Sequence, residues 1–241
     1  MRIATWNVNS IKARMEKISW WLERTAPDVL LMQETKLTDK DARVYASAFE
    51  KVGYAMVHHG EGGRNGVAIA SKLPITDVIV NFGLTNVPAA PKPSGAADKE
   101  PLAEARMISA MTAGIRFVCL YAPNGRIINT PTYEAKLVWY DFLARWLEEM
   151  RSPDEALIVG GDLNVTPDDR DVWDAKLAHG GTHVSPKERE AFARLLRWGL
   201  IDSYRKHTDK GERFTWWDYR AGDFYKNFGM RLDVLLLTKS L

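Results

Sequence analysis

Hydrophobic and polar positions follow two different periods along this chain. Short apolar runs predict strands at "RIATWNVN", "DVLLMQE", "GVAIAS" and "EALIVGGDLNVTP". Two further strands around a turn at Gly114 are predicted in "RMISAMTAGIRFVCLYAPNG". Apolar residues three and four positions apart predict helices at "SIKARMEKISWWLERTAP", "KDARVYASAFEKVGY" and "TPTYEAKLVWYDFLARWLEEMRSP". Strands that alternate with helices along the whole length predict an α/β fold.

Three later patterns complete the outline of the domain. "SPKEREAFARLLRWGL" predicts a helix with a capping box, formed by Ser185 and Glu188, and with Gly199 at its far end. "RFTWWDYRAGDFYKNFGMRLDVLLL" predicts two strands around a glycine-containing turn. Residues 81–105 contain four prolines and no hydrophobic face, so we expect an exposed loop there. Because the helix and strand periods resume directly after this loop, we predict a single domain over residues 1–241.

Composition indicates the class of protein and its cellular compartment, but it does not indicate the function. The chain is 46% hydrophobic and 27% charged, as in globular proteins, and its net charge of +2 is too small to indicate a nucleic-acid partner. The single cysteine, Cys119, cannot form an internal disulfide. The start, "MRIATWNVNS", lacks the apolar core of a signal peptide, and no apolar run approaches the length of a membrane span. We therefore expect a cytoplasmic protein without a membrane partner.

Polar side chains occur where several predicted strands end, which is where side chains from separate strands converge. These residues are Asn7, Asn9, Glu34, Tyr121, Asn124, Asp162 and Asn164, together with Asp233 inside the last apolar run. All of them carry oxygen, and neither cysteine nor histidine is among them. Oxygen ligands favour Mg²⁺ or Mn²⁺ over Zn²⁺, and Mg²⁺ often completes its coordination with substrate phosphate. The pattern thus indicates metal-assisted attack on a phosphate.

Each of these residues also has an ordinary structural interpretation. "GGDLN" is equally consistent with a simple Asp-Asn turn, and an asparagine at a strand end often bonds to its own backbone. Glu34 alone would suit a helix start or a surface acid. Asp233 could form a structural ion pair with Arg231 or Arg213. The occurrence of all these residues in one order is what favours a site.

Eight segments of the chain together resemble the exonuclease III family of abasic-site endonucleases, within the endonuclease/exonuclease/phosphatase superfamily. They are "WNVNSIKAR", "DVLLMQETK", "GVAIASK", "EARMI", "LYAPNGR", "GGDLNVTP", "FTWWDYR" and "GMRLDVLLL". The resemblance implies a four-layer α/β sandwich, in which two packed mixed β-sheets are flanked by helices and the site lies at one rim. It implies Mg²⁺-dependent hydrolysis of the phosphodiester 5′ to an abasic site, and 3′→5′ exonuclease or 3′-end trimming activity on duplex DNA.

The resemblance also implies roles for individual residues. It assigns metal binding to Asn7, Glu34, Asp162 and Asn164, with Glu34 as the main metal carboxylate and Mn²⁺ as a possible substitute for Mg²⁺. It assigns catalysis to Tyr121, Asp162, Asn164 and Asp233. Asp162 would position or deprotonate the attacking water, or protonate the leaving oxygen. Asn164 would orient that water, Tyr121 would donate to the phosphate or the leaving group, and Asp233 would orient a histidine.

DNA contacts follow from the same resemblance. The residues concerned are Asn9, Lys12, Arg14, Asn124, Arg126, Trp216 and Met230. Asn9 and Asn124 would hold phosphate oxygens, and the cations would contact the backbone without reading sequence. Trp216 and Met230 would form an apolar pocket for a flipped abasic sugar. Taken singly, the cations are equally consistent with a solvated surface and Trp216 with core packing.

One part of the family pattern is not found in this sequence. Members of the family continue beyond "RLDVLLL" through further strands to a Ser-Asp-His motif, whose histidine pairs with the aspartate that corresponds to Asp233. None of the five histidines here follows an aspartate, so we expect all five to be surface or structural residues. We therefore expect the C-terminal strand or strands to be missing and activity to be impaired.

The resulting expectation is a monomeric repair nuclease that acts on double-stranded DNA with abasic sites or 3′ ends. Two alternatives remain open from the sequence. One is a shortened family member that binds DNA without efficient catalysis. The other is a superfamily phosphatase or RNA phosphodiesterase.

Overall fold

The computed structural model describes residues 1–83, 102–220 and 222–241 of the chain. Its strands are β1 (Ile3–Asn7), β2 (Val29–Gln33), β3 (Ala55–His59), β4 (Val67–Ser71), β5 (Thr76–Val80), β6 (Met107–Thr112), β7 (Ile115–Tyr121), β8 (Leu157–Asp162), β9 (Ile201–Asp202), β10 (Trp216–Trp217), β11 (Gly229–Met230) and β12 (Asp233–Leu237). Its α-helices are α1 (Ile11–Thr25), α2 (Asp39–Lys51), α3 (Pro131–Met150), α4 (Ala175–Ala178), α5 (Pro186–Trp198), α6 (Ser203–His207) and α7 (Asp223–Lys226). Short 3₁₀ turns span Asn81–Gly83 and Asp169–Asp171.

Two mixed sheets form the centre of the molecule. The first has the strand order β1-β2-β4-β3, in which β1 and β2 are parallel and the other neighbours antiparallel. The second has the order β5-β6-β7-β8-β12-β9, in which only β7 and β8 are parallel. A small antiparallel hairpin, β10 with β11, stands apart from both sheets.

Three buried clusters divide the fold into four layers. The inner cluster lies between the sheets and includes Leu31, Ile69 and Phe117. A second cluster packs α1 and α2 on the outer face of the first sheet, and a third packs α3 and α5 on the outer face of the second. Each fully buried Leu, Ile or Phe in such a cluster stabilises the fold by about 1.5–3 kcal/mol. The predicted four-layer sandwich of two mixed sheets is thereby confirmed.

The two sheets are in close contact beside a glycine pair in β8. A Cβ atom on Gly160 would lie 2.8 Å from Leu31 Cδ1 in the first sheet and 2.6 Å from Leu235 Cδ2 in β12. At Gly161 the backbone has a φ of +145°, and a Cβ atom there would lie 1.9 Å from Leu120 O. The "GG" of "IVGGDLN" is therefore required by packing and by backbone conformation.

Most predicted elements agree with the structure, and the differences are local. The capping box is present, because Ser185 accepts from the N–H of Glu188 while the Glu188 side chain accepts from the N–H of Ser185. The predicted C-terminal strand pair is different in form. The hairpin β10 and β11 contains the short helix α7, and β12 is a separate strand that pairs with β8 and β9. Strands β3 and β5 were not predicted from the sequence.

The predicted exposed loop at residues 81–105 lies in large part outside the described residues. At its described ends the prediction of exposure is wrong. Phe82 is only 4% exposed and packs edge-on against Trp139, Phe142 and Trp146 of α3. Leu102 is also buried in the cluster under α3. Because the segment is rich in proline, its sequence pattern did not predict burial of the apolar side chains at its two ends. Among the described helices, none is both long and apolar enough to cross a lipid bilayer.

Candidate active site

Five of the polar residues predicted at strand ends meet at one edge of the sandwich. The strand register places Tyr121 and Asp233 on either side of Asp162 in the second sheet. Asn7 ends β1 and Glu34 follows β2, and these two strands run parallel in the first sheet. The edges of both sheets therefore contribute to one group of side chains.

Asn7 joins the two sheets through its side-chain amide. Its Nδ2 donates to Glu34 Oε1 at 2.9 Å and to Asp162 Oδ2 at 3.0 Å. Its Oδ1 accepts from the N–H of Asn9 at 3.1 Å. Both carboxylates thus converge on the amide nitrogen, whereas the amide oxygen faces the loop. Direct metal ligation by Asn7 would require this amide to turn over, and its assignment as a ligand stays a prediction.

Glu34 is held as a carboxylate by donors on both of its oxygens. Tyr121 OH donates to Oε1 at 3.0 Å, and Lys36 Nζ lies 3.0 Å from Oε2. Burial acts to raise the pKa of Glu34, but the hydrogen bonds from Asn7, Lys36 and Tyr121 and the Lys36 charge outweigh it and lower the pKa. Both Glu34 and Lys36 have left-handed backbone conformations, with φ of 52° and 56°. Such conformations cost free energy and are common at functional sites.

The buried Asp162 and the half-buried Asp233 are register partners on β8 and β12. Burial and the neighbouring charge of Asp233 raise the pKa of Asp162, although Asn7 and the N–H of Asn164 donate to it. Burial also raises the pKa of Asp233, against a hydrogen bond from Thr215. Within the described residues, the buried Oδ1 of Asp233 has no hydrogen-bond partner. Arg231 does not supply one, because its guanidinium pairs with Asp171 and Asp202 instead.

The Tyr121 hydroxyl is a hydrogen-bond donor in this environment. Burial raises the pKa of its hydroxyl far above the usual value, and the negative charges of Glu34 and Asp162 raise it further. The Arg106 guanidinium lies 5.0 Å from the centre of the Tyr121 ring. The phenol therefore stays protonated and can donate a hydrogen bond, but it cannot serve as a base.

Asn124 and Asn164 form the other side of the group. Asn124 Nδ2 donates to Asn164 Oδ1 at 3.1 Å, and Asn124 Oδ1 accepts from the N–H of Arg126 at 3.1 Å. Asn164 has a φ of 50°, and its own N–H donates to Asp162 Oδ1 at 2.9 Å. One N–H of its side chain donates to Ala122 O at 2.9 Å. Its second side-chain N–H is then the one that could serve a substrate.

Three buried residues beneath these asparagines were not assigned to the site from the sequence. They are Lys136 on α3, Glu188 on α5 and His183 in the loop before α5, all at most 7% exposed. Lys136 lies at helical spacing between the buried Tyr133 and Tyr140, and a lysine in such a row was the available signal. His183 is one of the five histidines expected to be surface or structural residues, and it contacts Asn164 O directly.

The donor set fits a magnesium ion better than a softer metal. Among the described residues, no group of three or more His, Cys, Asp and Glu side chains is arranged to hold a metal. Mg²⁺ usually takes one or two carboxylates and completes its shell with water and substrate phosphate. Glu34, as the ionised carboxylate, and Asp162, which faces the same amide, provide that set. Asn164 bonds to Ala122 and Asn124 instead, and its assignment as a metal ligand stays a prediction.

A cavity of about 910 Å³ opens beside the carboxylates. Asn7, Glu34, Asp162 and Asp233 form its acidic wall, and Arg14 and Arg213 also line it. The aromatic side chains of Trp216, Trp217 and Tyr219 line it as well, and so does His207. Its mixture of cations and aromatic rings is typical of surfaces that contact nucleic-acid backbones and unstacked nucleotides.

The predicted DNA-binding residues have different positions around this cavity. Asn9 and Arg14 line it, and Lys12 is exposed on the first turn of α1. Arg126 is exposed next to Asn124 on the other side. Trp216 lines the cavity and is 40% exposed, whereas Met230, its partner in the hairpin register, is not among the lining residues.

Comparison with known proteins identifies the family of this chain. A model described as the endonuclease/exonuclease/phosphatase family matches residues 4–241. The chain belongs to this family. Within it, the chain is 30% identical to exodeoxyribonuclease III of Haemophilus influenzae over 252 residues, covering 100% of this chain and 89% of that protein. It is 29% identical to an exodeoxyribonuclease of Bacillus subtilis over 251 residues, with the same coverage.

Solved structures of family members share the fold over almost the whole chain. An AP endonuclease from Archaeoglobus fulgidus superimposes with a TM-score of 0.85 and 33% identity, covering 99% of this chain and 86% of that one. NExo from Neisseria, a 3′ phosphatase bound to a product DNA hairpin, gives a TM-score of 0.86 and 32% identity, with 100% and 87% coverage. This chain is therefore an exonuclease III-type member of its family.

Proposed function

We propose that this protein is a Mg²⁺-dependent DNA repair nuclease acting on duplex DNA. It hydrolyses the phosphodiester 5′ to an abasic site and removes nucleotides or blocking groups from 3′ ends. The observation that supports this most directly is the meeting of Glu34 and Asp162 at Asn7, with the neutral Tyr121 donating to Glu34 and the N–H of Asn164 donating to Asp162. Similarity to exodeoxyribonucleases and AP endonucleases supports the choice of DNA as substrate.

The reaction needs a water molecule to attack phosphorus while the bond from phosphorus to the 3′ oxygen breaks. Asp162 is placed to exchange a proton, because burial and Asp233 bring the pKa of its carboxyl upward from the usual range. It would position or deprotonate the attacking water, or return a proton to the leaving 3′ oxygen. The second side-chain N–H of Asn164 would orient that water and stabilise charge on the phosphate oxygens.

The remaining groups bind and orient the substrate. Tyr121, which stays protonated, would donate to a phosphate oxygen or the leaving oxygen. Mg²⁺ held by Glu34 and Asp162 would neutralise the charge that develops on the phosphate. Asn9, Lys12, Arg14, Asn124 and Arg126 would contact backbone phosphates along the rim. Trp216 would pack against a sugar that carries no base, which is the nucleotide that leaves the helix at least cost.

A second activity of the same site is the removal of a 3′-terminal phosphate. The similarity to NExo, a 3′ phosphatase, favours it. The same attack on phosphorus would then release inorganic phosphate and leave a 3′-hydroxyl. No additional residue is required, because the bond that breaks is again the one between phosphorus and the 3′ oxygen.

The test is cleavage of three labelled DNA duplexes by the purified chain, carrying an internal abasic site, a recessed 3′-hydroxyl or a 3′-phosphate. We expect product with MgCl₂ and none with EDTA, and restoration by added Mg²⁺ or Mn²⁺. An abasic single-stranded RNA and a small phosphomonoester serve as controls for other superfamily activities. DNA binding without cleavage of any duplex would contradict the proposal and favour the catalytically impaired alternative.

A further inference from the structure

The buried lysine beneath the asparagine side of the site makes three polar contacts. Lys136 Nζ donates to Asn164 O at 2.6 Å and to Asn124 O at 3.2 Å, and it pairs with Glu188 Oε1. The side chain of Lys136 is fully buried, as is that of Glu188. An ammonium group has three N–H bonds, so its three acceptors match its charged form.

The two carbonyls that Lys136 holds belong to Asn124 and Asn164, the asparagines to which the proposed function gives contacts with a phosphate oxygen and with the attacking water. Their side chains also bond to each other, from Asn124 Nδ2 to Asn164 Oδ1. A Cβ atom on Gly125 would lie 2.9 Å from Lys136 Cδ, so the loop after Asn124 rests directly on the lysine stem. Both loops of the asparagine side are therefore anchored to one side chain of α3.

Glu188 fixes the position of the lysine from the opposite side. Its Oε1 also accepts from the N–H of His183 at 3.0 Å, and its Oε2 accepts from Ser185 Oγ at 2.6 Å. The imidazole Nδ1 of His183 lies 2.5 Å from Asn164 O and must donate to it, because a carbonyl only accepts. The N-terminus of α5 is thus tied to the same backbone carbonyl that Lys136 holds.

We infer that Lys136, together with Glu188, is a positioning residue pair that sets the rate of hydrolysis by fixing Asn124 and Asn164. This inference rests on the proposed function, since it assigns the pair to the same reaction. Stability alone does not account for such a pair, because well-packed apolar residues in its place are often equally stabilising. A displacement of about 1 Å at a reacting group can cost 10²-fold in rate. The pair therefore acts on kcat through the two asparagines.

A double-mutant cycle tests this inference. The four proteins are the wild type, Lys136→Met with Glu188→Gln, Asn164→Ala, and the combination of all three changes. The cleaved duplex is followed under single-turnover and steady-state conditions, and thermal unfolding is recorded for each protein. We expect the Met/Gln pair to lower kcat by about 10- to 100-fold with KM changed by less than about twofold. In the Asn164→Ala background the same pair should lower kcat by less than about threefold.

The matched control is a second buried cation at the far end of β7. Arg116 is 5% exposed and pairs with the exposed Asp77, and it lies five positions before Tyr121 in β7. Arg116→Met with Asp77→Asn makes the same chemical change there. We expect this control to lower the unfolding temperature but to leave kcat within about twofold, because its partners are not at the site.

Distinct results contradict the inference and the proposed function. If Asn164→Ala leaves the rate unchanged, the assignment of the site itself is wrong. If Asn164→Ala slows the reaction but a folded Met/Gln pair does not, only the positioning role is wrong. If the kcat losses of the Met/Gln pair and of Asn164→Ala multiply fully in the triple variant, the positioning role is also wrong. Should the Met/Gln pair not fold, Lys136→Gln with Glu188→Gln is carried through the same cycle with the same expectations.

Discussion

The carboxylate side and the asparagine side of the site are held in place by different kinds of contact. Glu34, Asp162 and Asp233 bring negative charge together, and one buried oxygen of Asp233 has no partner among the described residues. Asn124 and Asn164 instead rest on a buried network in which Lys136 and Glu188 neutralise each other. The carboxylate side thus carries uncompensated negative charge, whereas most polar atoms of the asparagine side already have a hydrogen-bond partner.

This difference separates two tasks of a phosphoryl-transfer site. Neutral donors must be in position before substrate arrives, because reorganising them during the reaction would raise the barrier. A cation site must keep excess negative charge, because that charge is what binds the metal. Charge that favours metal binding costs free energy in the folded protein until the metal is bound. A replacement on the carboxylate side should therefore lower activity and leave stability unchanged or higher. A replacement on the asparagine side should lower stability as well as activity.

The largest effect is expected for Asp162→Asn on the carboxylate side. We expect kcat to fall by about 10³- to 10⁴-fold, because a proton-exchanging group is lost. The unfolding temperature without metal should stay the same or rise, since a buried carboxyl beside Asp233 is replaced by a neutral amide. Asp168→Asn, six residues later, is the control and should change both quantities little, because asparagine can keep the cap on the N–H of Arg170. A marked loss of stability in Asp162→Asn would contradict the comparison.

The next effect is expected for Lys136→Met alone on the asparagine side. Leaving Glu188 charged and buried without its partner should destabilise the protein by about 3–5 kcal/mol, measured by denaturant unfolding. Adding Glu188→Gln should restore most of that loss. A single variant as stable as the wild type would show that the charge of Glu188 is compensated in another way.

A smaller effect is expected when Mg²⁺ binds without DNA. At ten times its dissociation constant, Mg²⁺ should raise the unfolding temperature by about 3–6 °C, because it binds only the folded protein. Glu34→Gln should remove most of this shift, whereas Glu148→Gln on the exposed face of α3 should preserve it. If Mg²⁺ raises the unfolding temperature of both variants equally, Glu34 does not belong to the cation site.

The smallest effect is expected for Ser185→Ala at the start of α5. The helix loses its N-cap, which should cost about 1 kcal/mol of unfolding free energy. Because Ser185 also donates to Glu188, kcat should fall slightly more than for a cap elsewhere. Thr38→Ala, which removes the cap of α2, is the matched control with unchanged kcat. Equal kcat values in both variants would limit the network to Lys136 and Glu188.

Local patterns in the sequence predicted the carboxylate side better than the asparagine side. Asp162 ends one apolar strand and Glu34 follows another, so that periodicity places each at the end of its strand without knowledge of the packing. The pairing of Lys136 with Glu188 joins residues 52 positions apart through two helices, and no local pattern contains it. Tertiary contacts of this kind appear only once the layers are assembled.

The same reason explains the errors in the fold. Strand β3 ends in His58 and His59, whose polar side chains hide its period of two, although both residues pair with β4 in register. Phe82 looked exposed because prolines follow it along the chain, whereas helix α3 covers it in space. By contrast, Ser185 and Glu188 formed the predicted capping box, since that motif depends on four consecutive residues alone.

The close approach of the sheets at Gly160 has a consequence for metal selectivity. Leu31 lies three residues before Glu34, and Gly160 lies two residues before Asp162, so the two strands that carry the carboxylates touch inside the core. In the proposed cation site, the distance between the two carboxylates therefore depends on the packing of the layers as well as on the loop that carries Glu34. A methyl group added at Gly160 would press on the ends of the Leu31 and Leu235 side chains, which would have to move. We therefore expect Gly160→Ala to change the relative affinity for Mg²⁺ and larger ions, although no side chain that faces the cavity is replaced.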